Sequence, residues 1–340
     1  IIPELIDNLR FFKGTYYANI GDFSSAGGAL FSLRNSLQQN VAVFTVGEYG
    51  FLSQALALNP IVVGGNPTDP DGRLRLNMNS LTKWLRITNQ FSSEDDDVKP
   101  THLMLNGYKL YIKNENAEIF YKKYCESLEE NADLYVVECK REIFKLFFDL
   151  DFLITEDKYK TYLSWFNNFN TPDNIFLQFI KIINDVIYEF YNKYYDCIVT
   201  TADIKKVKKL IKNNDNPENI DSKELIKIGF HLHFPDININ KNYALEIRKR
   251  CIYKLLQYRT EFENSINDIV DEHVYLNSGL RLTGSRKGHY VSQTKEFIDE
   301  GRPYNLLICL RNNSIDKEMF IQLEQDKLLL INKTSIIITS

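Results

Sequence analysis

After residue 100, apolar residues recur in four stretches with the patterns of β-strands. These stretches are Leu134–Cys139, Ile143–Phe148, Ile228–Phe234 and Leu306–Leu310. The run Ile143–Phe148 is nearly continuous, which is typical of a strand buried on both faces. The run Ile228–Phe234 alternates instead, so it predicts a strand with His231 and His233 on one face.

Apolar residues spaced by three or four positions predict three helices in the same part of the chain. They are predicted at Thr171–Tyr194, Asp203–Lys212 and Tyr243–Phe262. The second and third are predicted to be amphipathic, each with an exposed basic side. Because helices and strands mix at irregular intervals, the pattern favours an α+β fold over a doubly wound α/β fold.

A change in composition near residue 97 predicts two domains. Nine of the 15 glycines lie in residues 1–72, whereas the rest of the chain is rich in Ile, Asn, Lys, Tyr and Phe. The acidic segment Ser92–Asp97 separates the two regions. We therefore expect an N-terminal α/β extension of unknown role at 1–97 and a second domain at 98–340. Since the chain begins with Ile1 and ends in an apolar stretch, we also expect a fragment of a longer polypeptide.

Composition narrows the class of protein. The chain has 340 residues, of which 44% are hydrophobic and 25% charged, which indicates a globular protein and excludes collagen-like and disordered classes. Its five cysteines are widely spaced and contain no CxxC pair, so neither a disulfide framework nor a zinc module is expected. The uncharged window 49–68 is interrupted by polar residues and proline, and no membrane span or secretory signal is predicted.

The net charge of −4 restricts where a nucleic acid could bind. In a slightly acidic protein, contacts to phosphates must come from local basic patches. The two best patches lie in the second and third predicted helices, at Lys205, Lys206, Lys208 and Lys209, and at Arg248, Lys249 and Arg250. An ordinary solubilising face is the alternative for either patch.

Two acidic residues follow the second predicted strand. Asp149 and Asp151 lie two positions apart, so strand alternation directs both carboxylates to one side, with Cα atoms roughly 6 to 7 Å apart. Such a pair can share Mg²⁺ or Mn²⁺, since these ions prefer carboxylates together with substrate phosphate oxygens. A solvated turn is the alternative for this motif alone.

The two histidines of the alternating strand form a second candidate cluster. His231 and His233 could contact a phosphate or a transition metal, or they could form a satisfied pair near the surface. Lys227 lies on the same face of the predicted strand and could add positive charge at its entrance.

A third cluster begins with an acid and continues into a loop flanked by glycines. Asp271 could be a third metal ligand. After it, Arg281, Ser285 and Lys287 could donate to phosphate oxygens. The alternative for the basic residues is a solvated loop.

In this order the three clusters resemble the motifs of the archaeo-eukaryotic primase superfamily, over about 140 residues. Segments Phe147–Phe152, Gly229–Pro235 and Leu280–Lys287 are most similar to N-terminal primase domains of primase-helicases from nucleocytoplasmic large DNA viruses, of the poxvirus and asfarvirus type. Pro100–Gly107 adds to the similarity. The resemblance implies a viral source, for which we expect African swine fever virus.

The resemblance implies an archaeo-eukaryotic primase core with mixed sheets, flanking helices and a catalytic half similar to an RNA-recognition motif. It implies a site for two Mg²⁺ or Mn²⁺ ions on Asp149, Asp151 and Asp271. It further implies phosphate contacts from His231, Lys227, Arg281 and Lys287, and from Ser285 through its hydroxyl or backbone. Gly229 departs from the family pattern, in which many members have Ser, and residues 1–97 lie outside the resemblance.

The function implied is template-directed synthesis of primers from NTPs or dNTPs on single-stranded DNA, as part of viral DNA replication. The family also implies a C-terminal superfamily 3 helicase in the same polypeptide. No GxxxxGK[ST] phosphate loop occurs in these 340 residues, so we expect no ATP-driven unwinding by this part. A viral protein of this kind is expected inside the host cell, at cytoplasmic replication sites.

Two other functions use the same residues. A metal-dependent nuclease or phosphoesterase would combine the carboxylates with water as the nucleophile. An inactive nucleic-acid-binding module would only dock a helicase. The Arg281–Lys287 loop argues against a nuclease, which needs no triphosphate site, and acids at all three expected positions argue against an inactive module.

Overall fold

A computed structural model describes much of the chain after residue 78 and four short segments before it. The described residues are 6–13, 27–33, 41–46, 52–57, 78–91, 98–167, 169, 171, 173–212, 220–276, 279–291 and 296–338. The chain divides into two compact units, Ile1–Pro67 and Thr68–Ser340. In the first unit the described residues form two antiparallel pairs, β1 (Ile6–Lys13) with β2 (Gly27–Leu33), and β3 (Val41–Val46) with β4 (Leu52–Ala57).

The second unit includes a helix that precedes residue 97. Helix α1 (Ser80–Ile87) buries Leu81 and Leu85 in one core with Phe120 and Tyr124. The described residues of 1–67 are strands. The predicted boundary at Ser92–Asp97 and the predicted α/β character of residues 1–97 stay predictions, because the segment 92–97 lies outside the described residues.

The rest of the second unit mixes helices and strands, which confirms the α+β fold. Its strands are β5 (His102–Met104), β6 (Lys109–Leu110), β7 (Val136–Glu138), β8 (Ile143–Ile154), β9 (Cys197–Thr201), β10 (Lys205–Lys212), β11 (Ile220–Asn240), β12 (Leu280–Arg281), β13 (Lys287–Val291), β14 (Glu296–Gly301), β15 (Asn305–Arg311) and β16 (Ser314–Ile315). Its further helices are α2 (Ala117–Glu129), α3 (Glu156–Asn167), α4 (Ile175–Tyr191), α5 (Lys241–Leu255), α6 (Ile266–Ile269), α7 (His273–Leu276), α8 (Lys317–Gln325) and α9 (Lys327–Thr334).

The long strand β11 organises the larger sheet. It pairs antiparallel with β8 along one edge, and with β10 and then β9 along the other. Beyond β9 the sheet continues with β15 and β16. A smaller antiparallel sheet has the order β12-β7-β5-β6, and its strand β12 brings Arg281 to the site described below.

Alternate residues of β8 and β11 form a buried aromatic face. Phe152 lies with its ring centroid 5.1 Å from that of Phe176 and 5.2 Å from that of Phe179, both on α4. Phe230 of β11 belongs to the same core, together with residues of α5. Truncating a buried Phe of this kind costs about 3–5 kcal/mol. The opposite face of the same two strands is therefore the one that carries polar side chains.

Three elements differ from the sequence prediction. Lys205–Lys212 is a strand, not a helix, because β11 extends far enough to pair with all eight of its residues, and these ladder hydrogen bonds outweigh the local helical pattern. Strand β8 continues to Ile154 through both acids instead of ending before them. Helix α4 begins at Ile175, where the Asn174 side chain accepts from the Leu177 N–H at 3.1 Å.

Candidate active site

Antiparallel pairing of β8 and β11 places the first two motifs side by side. Asp149 lies opposite His231, and Asp151 lies opposite Gly229. The distance from Asp149 Oδ1 to His231 Nε2 is 3.6 Å. Lys227 donates a hydrogen bond from Nζ to Asp151 Oδ2 at 2.6 Å. Because the strand continues through the acids, its register with β11 fixes which groups of the two motifs meet.

The third acid reaches this position through the segment after α6. Val270 bridges Leu150, and the N–H of Asp271 donates to the Asp149 carbonyl at 3.0 Å. Arg248 holds this segment from α5, since its Nε donates to the Val270 carbonyl at 2.7 Å. The prediction that Arg248 lies on an exposed basic side is wrong. Its side chain is buried because the guanidinium satisfies backbone carbonyls in this turn.

The three carboxylates repel one another. Burial raises the pKa of Asp149 well above its usual value, and the charges of Asp151 and Asp271 raise it further. Lys227 and Arg281 oppose this effect with positive charge. In the described part of the chain, Asp149 Oδ1 is buried without a hydrogen-bond partner. A divalent cation would neutralise this excess of negative charge.

The donor set suits Mg²⁺ or Mn²⁺, because both ions prefer carboxylate oxygens. Asp149, Asp151 and Asp271 are the residues that fit such an ion. Among the described residues, however, no three His, Cys, Asp or Glu side chains are gathered to hold a metal ion. Asp151 contacts Lys227 instead, and Asp271 Oδ1 lies 2.9 Å from His273 Nδ1. Metal binding would therefore exchange these contacts for the ion.

His231 is buried and stacks on another ring. It is 3% exposed, and its ring centroid lies 3.5 Å from that of Tyr304, with the planes at 21°. Burial lowers the pKa of His231 well below 6.5, and the charges of His233 and Arg281 lower it further. The imidazole is therefore neutral at pH 7, with one nitrogen that donates and one that accepts.

Tyr304 is a residue of this site that the sequence did not reveal. It is buried, it stacks on His231, and the guanidinium carbon of Arg281 lies 4.7 Å from its ring centroid. A Cβ atom at Gly229 would lie 2.8 Å from the Tyr304 hydroxyl oxygen. The hydroxyl thus occupies the space that any larger residue at 229 would need. No local pattern near Tyr304 indicates this, because the contacts come from strands distant in sequence.

A group of cations surrounds Glu300 on β14. Glu300 Oε2 lies 2.7 Å from Lys205 Nζ, 3.2 Å from Arg302 Nη2 and 3.8 Å from Lys287 Nζ. Burial raises the pKa of Glu300, but hydrogen bonds and charges from Lys205 and Lys287 outweigh it and lower the pKa to about 2. The positive charge of Lys227 also reaches Lys287. Two predicted phosphate ligands, Lys227 and Lys287, therefore lie near each other, and Lys205 and Arg302 lie in the same group of cations.

Ser285 lies outside this group. It is fully buried, and its hydroxyl accepts from the Val136 N–H at 2.9 Å and lies 2.9 Å from the Tyr124 hydroxyl. Its own N–H donates to the Leu282 carbonyl at 2.9 Å. The structure therefore contradicts the predicted contact between Ser285 and a triphosphate, because both groups are committed to internal hydrogen bonds.

The predicted basic patches are partly neutralised by carboxylates. Ion pairs join Lys206 to Glu156 at 3.3 Å, Lys208 to Glu224 at 4.0 Å, and Arg250 to Glu189 at 3.3 Å. Lys249 is exposed on α5, and the side chain of Lys209 lies outside the described residues. A role of these residues in nucleic-acid binding stays a prediction.

Comparisons with known proteins find sequences that are similar to this part of the chain. A family model described as "C962R protein N-terminal AEP domain", where AEP denotes archaeo-eukaryotic primase, matches residues 101–297, more than half of the chain. The chain is also 23% identical over 223 residues, or 63% of its length, to "Putative helicase 184R" of Invertebrate iridescent virus 6. It spans 22% of the length of that relative. Within the described residues, no helix combines the length and apolar character needed to cross a membrane.

Proposed function

Because the chain belongs to the family of archaeo-eukaryotic primase domains of C962R type, we propose that it is a template-directed nucleotidyltransferase that makes primers for viral DNA replication. One observation carries this proposal. The pairing of β8 with β11 places Asp149 and Asp151 beside His231, and the Asp271 backbone is bonded to that of Asp149. Acids that can hold metal ions thus lie next to groups that can bind phosphate.

In the proposed reaction, the 3′-hydroxyl of the growing strand attacks the α-phosphate of a nucleotide and pyrophosphate leaves. Mg²⁺ or Mn²⁺, when bound, supplies activation of the hydroxyl and neutralises charge on the phosphates. Asp149, Asp151 and Asp271 would hold the ions, since an ion relieves the repulsion that raises the pKa of Asp149.

The phosphates of the nucleotide would meet donors on the other side of the site. His231 would donate from its neutral ring, and Arg281 and Lys287 would contribute charge-assisted hydrogen bonds. In the free protein, Lys227 donates a hydrogen bond to Asp151. If Asp151 held an ion, Lys227 would be available for a phosphate. Binding of the ion and of the nucleotide would therefore favour each other.

Incorporation of labelled nucleotides on primed and unprimed single-stranded DNA, with Mg²⁺ or Mn²⁺, tests the proposal. We expect incorporation by the wild type and a loss of at least about a hundredfold for Asp149→Asn, the scale of removing one preorganised electrostatic group. Asp157→Asn, on the exposed part of α3, is the matched control and should keep activity. Failure of the wild type to incorporate any nucleotide under these conditions would refute the proposal.

A nuclease or phosphoesterase is the alternative enzyme. The cations around Glu300 argue against it, because cleavage of a phosphodiester needs no site for three linked phosphates. Release of labelled nucleotides from DNA without incorporation would favour the nuclease. Binding of DNA without either reaction would favour a module that only docks a helicase.

The partners and location are part of the same proposal. We propose single-stranded DNA as template, NTPs or dNTPs as substrates, and a helicase domain elsewhere in the same polypeptide. The relative named as a helicase supports the last point, since the chain spans 22% of its length. We place the activity at cytoplasmic replication sites of an infected cell. African swine fever virus as the source stays a prediction.

A further inference from the structure

A large groove lies at the ends of β8 and β11 that are remote from the acids. Residues just before β8 and just after β11 line it, including Arg141 and Lys241. Its volume is about 1370 Å³, whereas pockets for single small molecules have about 300–1,000 Å³. The size of the groove therefore suits part of a polymer better than one small ligand.

Positive charge dominates the lining of this groove. The cations are Lys99, Lys113, Lys140, Arg141 and Lys241, and the carboxylates are Glu115 and Glu142. Within the described residues, none of the five cationic side chains has an ion pair or a hydrogen bond. The half-buried Lys123, which lies outside the groove, is by contrast paired with Glu126 at 2.6 Å. The described lining of the groove therefore carries a net positive charge, which favours an anionic ligand.

Three of these lysines lie close enough to repel one another. Burial lowers the pKa of Lys140, and the charges of Lys241 and Lys99 lower it further. Repulsion of this kind weakens when a polyanion supplies the opposite charge. Tyr111 lines the same groove and is half-buried, so its ring can support a stacked base. Phosphates and bases together match a single strand of nucleic acid.

Strand β8 sets the distance between the groove and the acids. Ile143 follows the lining residue Glu142 and precedes Asp149 by six positions, which corresponds to about 20 Å at about 3.3 Å per residue. Phosphates of one strand follow one another about every 3.4 Å along the axis of B-DNA, so a template with duplex-like stacking would span this distance with about six nucleotides.

We propose that this groove binds the phosphate backbone of single-stranded DNA, on the part of the template that lies about six nucleotides from the site of chemistry. The identity of the strand as template rests on the proposed function. The groove anchors the template electrostatically, so it acts on binding of long templates and leaves nucleotide addition itself to the residues around Asp149.

Salt-dependent binding of a fluorescent 30-nucleotide single strand tests the groove. The variant Lys99→Gln, Lys140→Gln, Lys241→Gln removes three charges from it. The matched control Lys122→Gln, Lys160→Gln, Lys317→Gln removes three exposed charges that lie outside the groove. Each phosphate contact adds about 0.7 to the slope of log K against log salt, so the groove variant should lower the slope by about 2 and the control by less than about 0.7. The acidic residues 94–97 stay unchanged in all proteins compared.

Template length separates this inference from the proposed function. With duplex-like spacing, templates of about six nucleotides or fewer do not reach from the acids to the groove, so the groove variant and the wild type should extend them equally. If the groove variant has a reduced salt slope but the wild type incorporates no nucleotides, the result would support DNA binding by the groove and refute the proposed polymerase activity. An unchanged slope in the groove variant, or an equal loss of slope in the control, would refute the proposal that the groove binds single-stranded DNA. A preference of the protein for duplex over single-stranded DNA would also refute it.

Discussion

Tyr304 and His231 stack with their ring centroids 3.5 Å apart, although 73 positions separate them in the sequence. Among the described residues, His231 Nδ1 is buried without a hydrogen-bond partner. The pairing of β11 fixes the backbone at His231, but it does not fix the rotation of the ring. Tyr304 supplies that constraint by stacking, so we assign it as a positioning residue for His231.

Gly229→Ala should disturb this arrangement. The added Cβ would lie 2.8 Å from the Tyr304 hydroxyl oxygen and 3.3 Å from Asp151 Oδ1, so the tyrosine must shift and the stacking on His231 must change. We expect KM for the nucleotide to rise about tenfold, which corresponds to about 1.4 kcal/mol, within the usual cost of overpacking. Steady-state kinetics, with a melting curve to exclude unfolding, measure this effect.

The double variant Gly229→Ala, Tyr304→Phe tests the cause. Without the hydroxyl, the ring carbon Cζ of residue 304 would lie 3.7 Å from the new Cβ, which is ordinary contact. The double variant should therefore bind nucleotide better than Gly229→Ala alone, a non-additive result. Additive losses would show that Tyr304 and residue 229 act independently.

Asp149→Asn should stabilise the metal-free protein while it removes activity. Burial and the charges of Asp151 and Asp271 disfavour the ionised Asp149 side chain, and the amide carries no charge. We expect a gain of about 1 kcal/mol, or about 2–4 °C in Tm. Melting curves with and without Mn²⁺ provide the second readout, since the ion should raise Tm of the wild type more than that of the variant. If Asp149→Asn has a lower Tm than the wild type without metal, the result would contradict repulsion among the three carboxylates.

The first two motifs could be predicted from the sequence because their chemistry depends on local spacing. Asp149 and Asp151 share a face in any strand, and so do His231 and Lys227. The register that pairs Asp149 with His231 depends on the length of both strands, which no local pattern gives. The local pattern likewise does not show that β8 continues through both acids to Ile154.

Contacts between distant segments explain the features that could not be predicted from the sequence. Arg248 has the helical spacing of an exposed face, yet carbonyls of the segment before Asp271 bury it. Lys205 has the spacing of an amphipathic helix, but β11 offers a strand edge that recruits it. In each case a tertiary partner outweighed a local propensity of the chain.

Lys205→Gln and Lys206→Gln should have different effects, although the residues are neighbours. On strand β10 they alternate in direction, so Lys205 contacts Glu300 at 2.7 Å and Lys206 contacts Glu156 at 3.3 Å. Loss of one charge beside the phosphates should raise KM for the nucleotide about fivefold, or about 1 kcal/mol. Lys206→Gln should change it less than about twofold, the scale of an exposed ion pair. Equal effects in nucleotide kinetics would remove Lys205 from the phosphate site.

Stability should fall as the pH drops below 6.5, in part because of His233. Burial, together with the charge of Lys145, lowers the pKa of His233 to about 3, although a backbone hydrogen bond with Thr334 opposes them. Between pH 3 and 6.5 the unfolded chain binds a proton at this residue and the folded protein does not, so the free energy of unfolding decreases with decreasing pH. At pH 5.5 the loss from one such histidine is about 1.4 kcal/mol.

His233→Asn isolates this contribution, because asparagine does not titrate and can still contact the Thr200 hydroxyl, which lies 3.3 Å from His233 Nε2. Urea unfolding at pH 7.5 and 5.5 gives the free energy of unfolding for both proteins. We expect the difference between the two pH values to be smaller in the variant by about 1.4 kcal/mol, whatever its absolute stability. Equal differences in the two proteins would mean that His233 is already protonated in the fold, or that it stays neutral in the unfolded chain. Either result would show that burial of His233 does not cause the loss of stability at low pH.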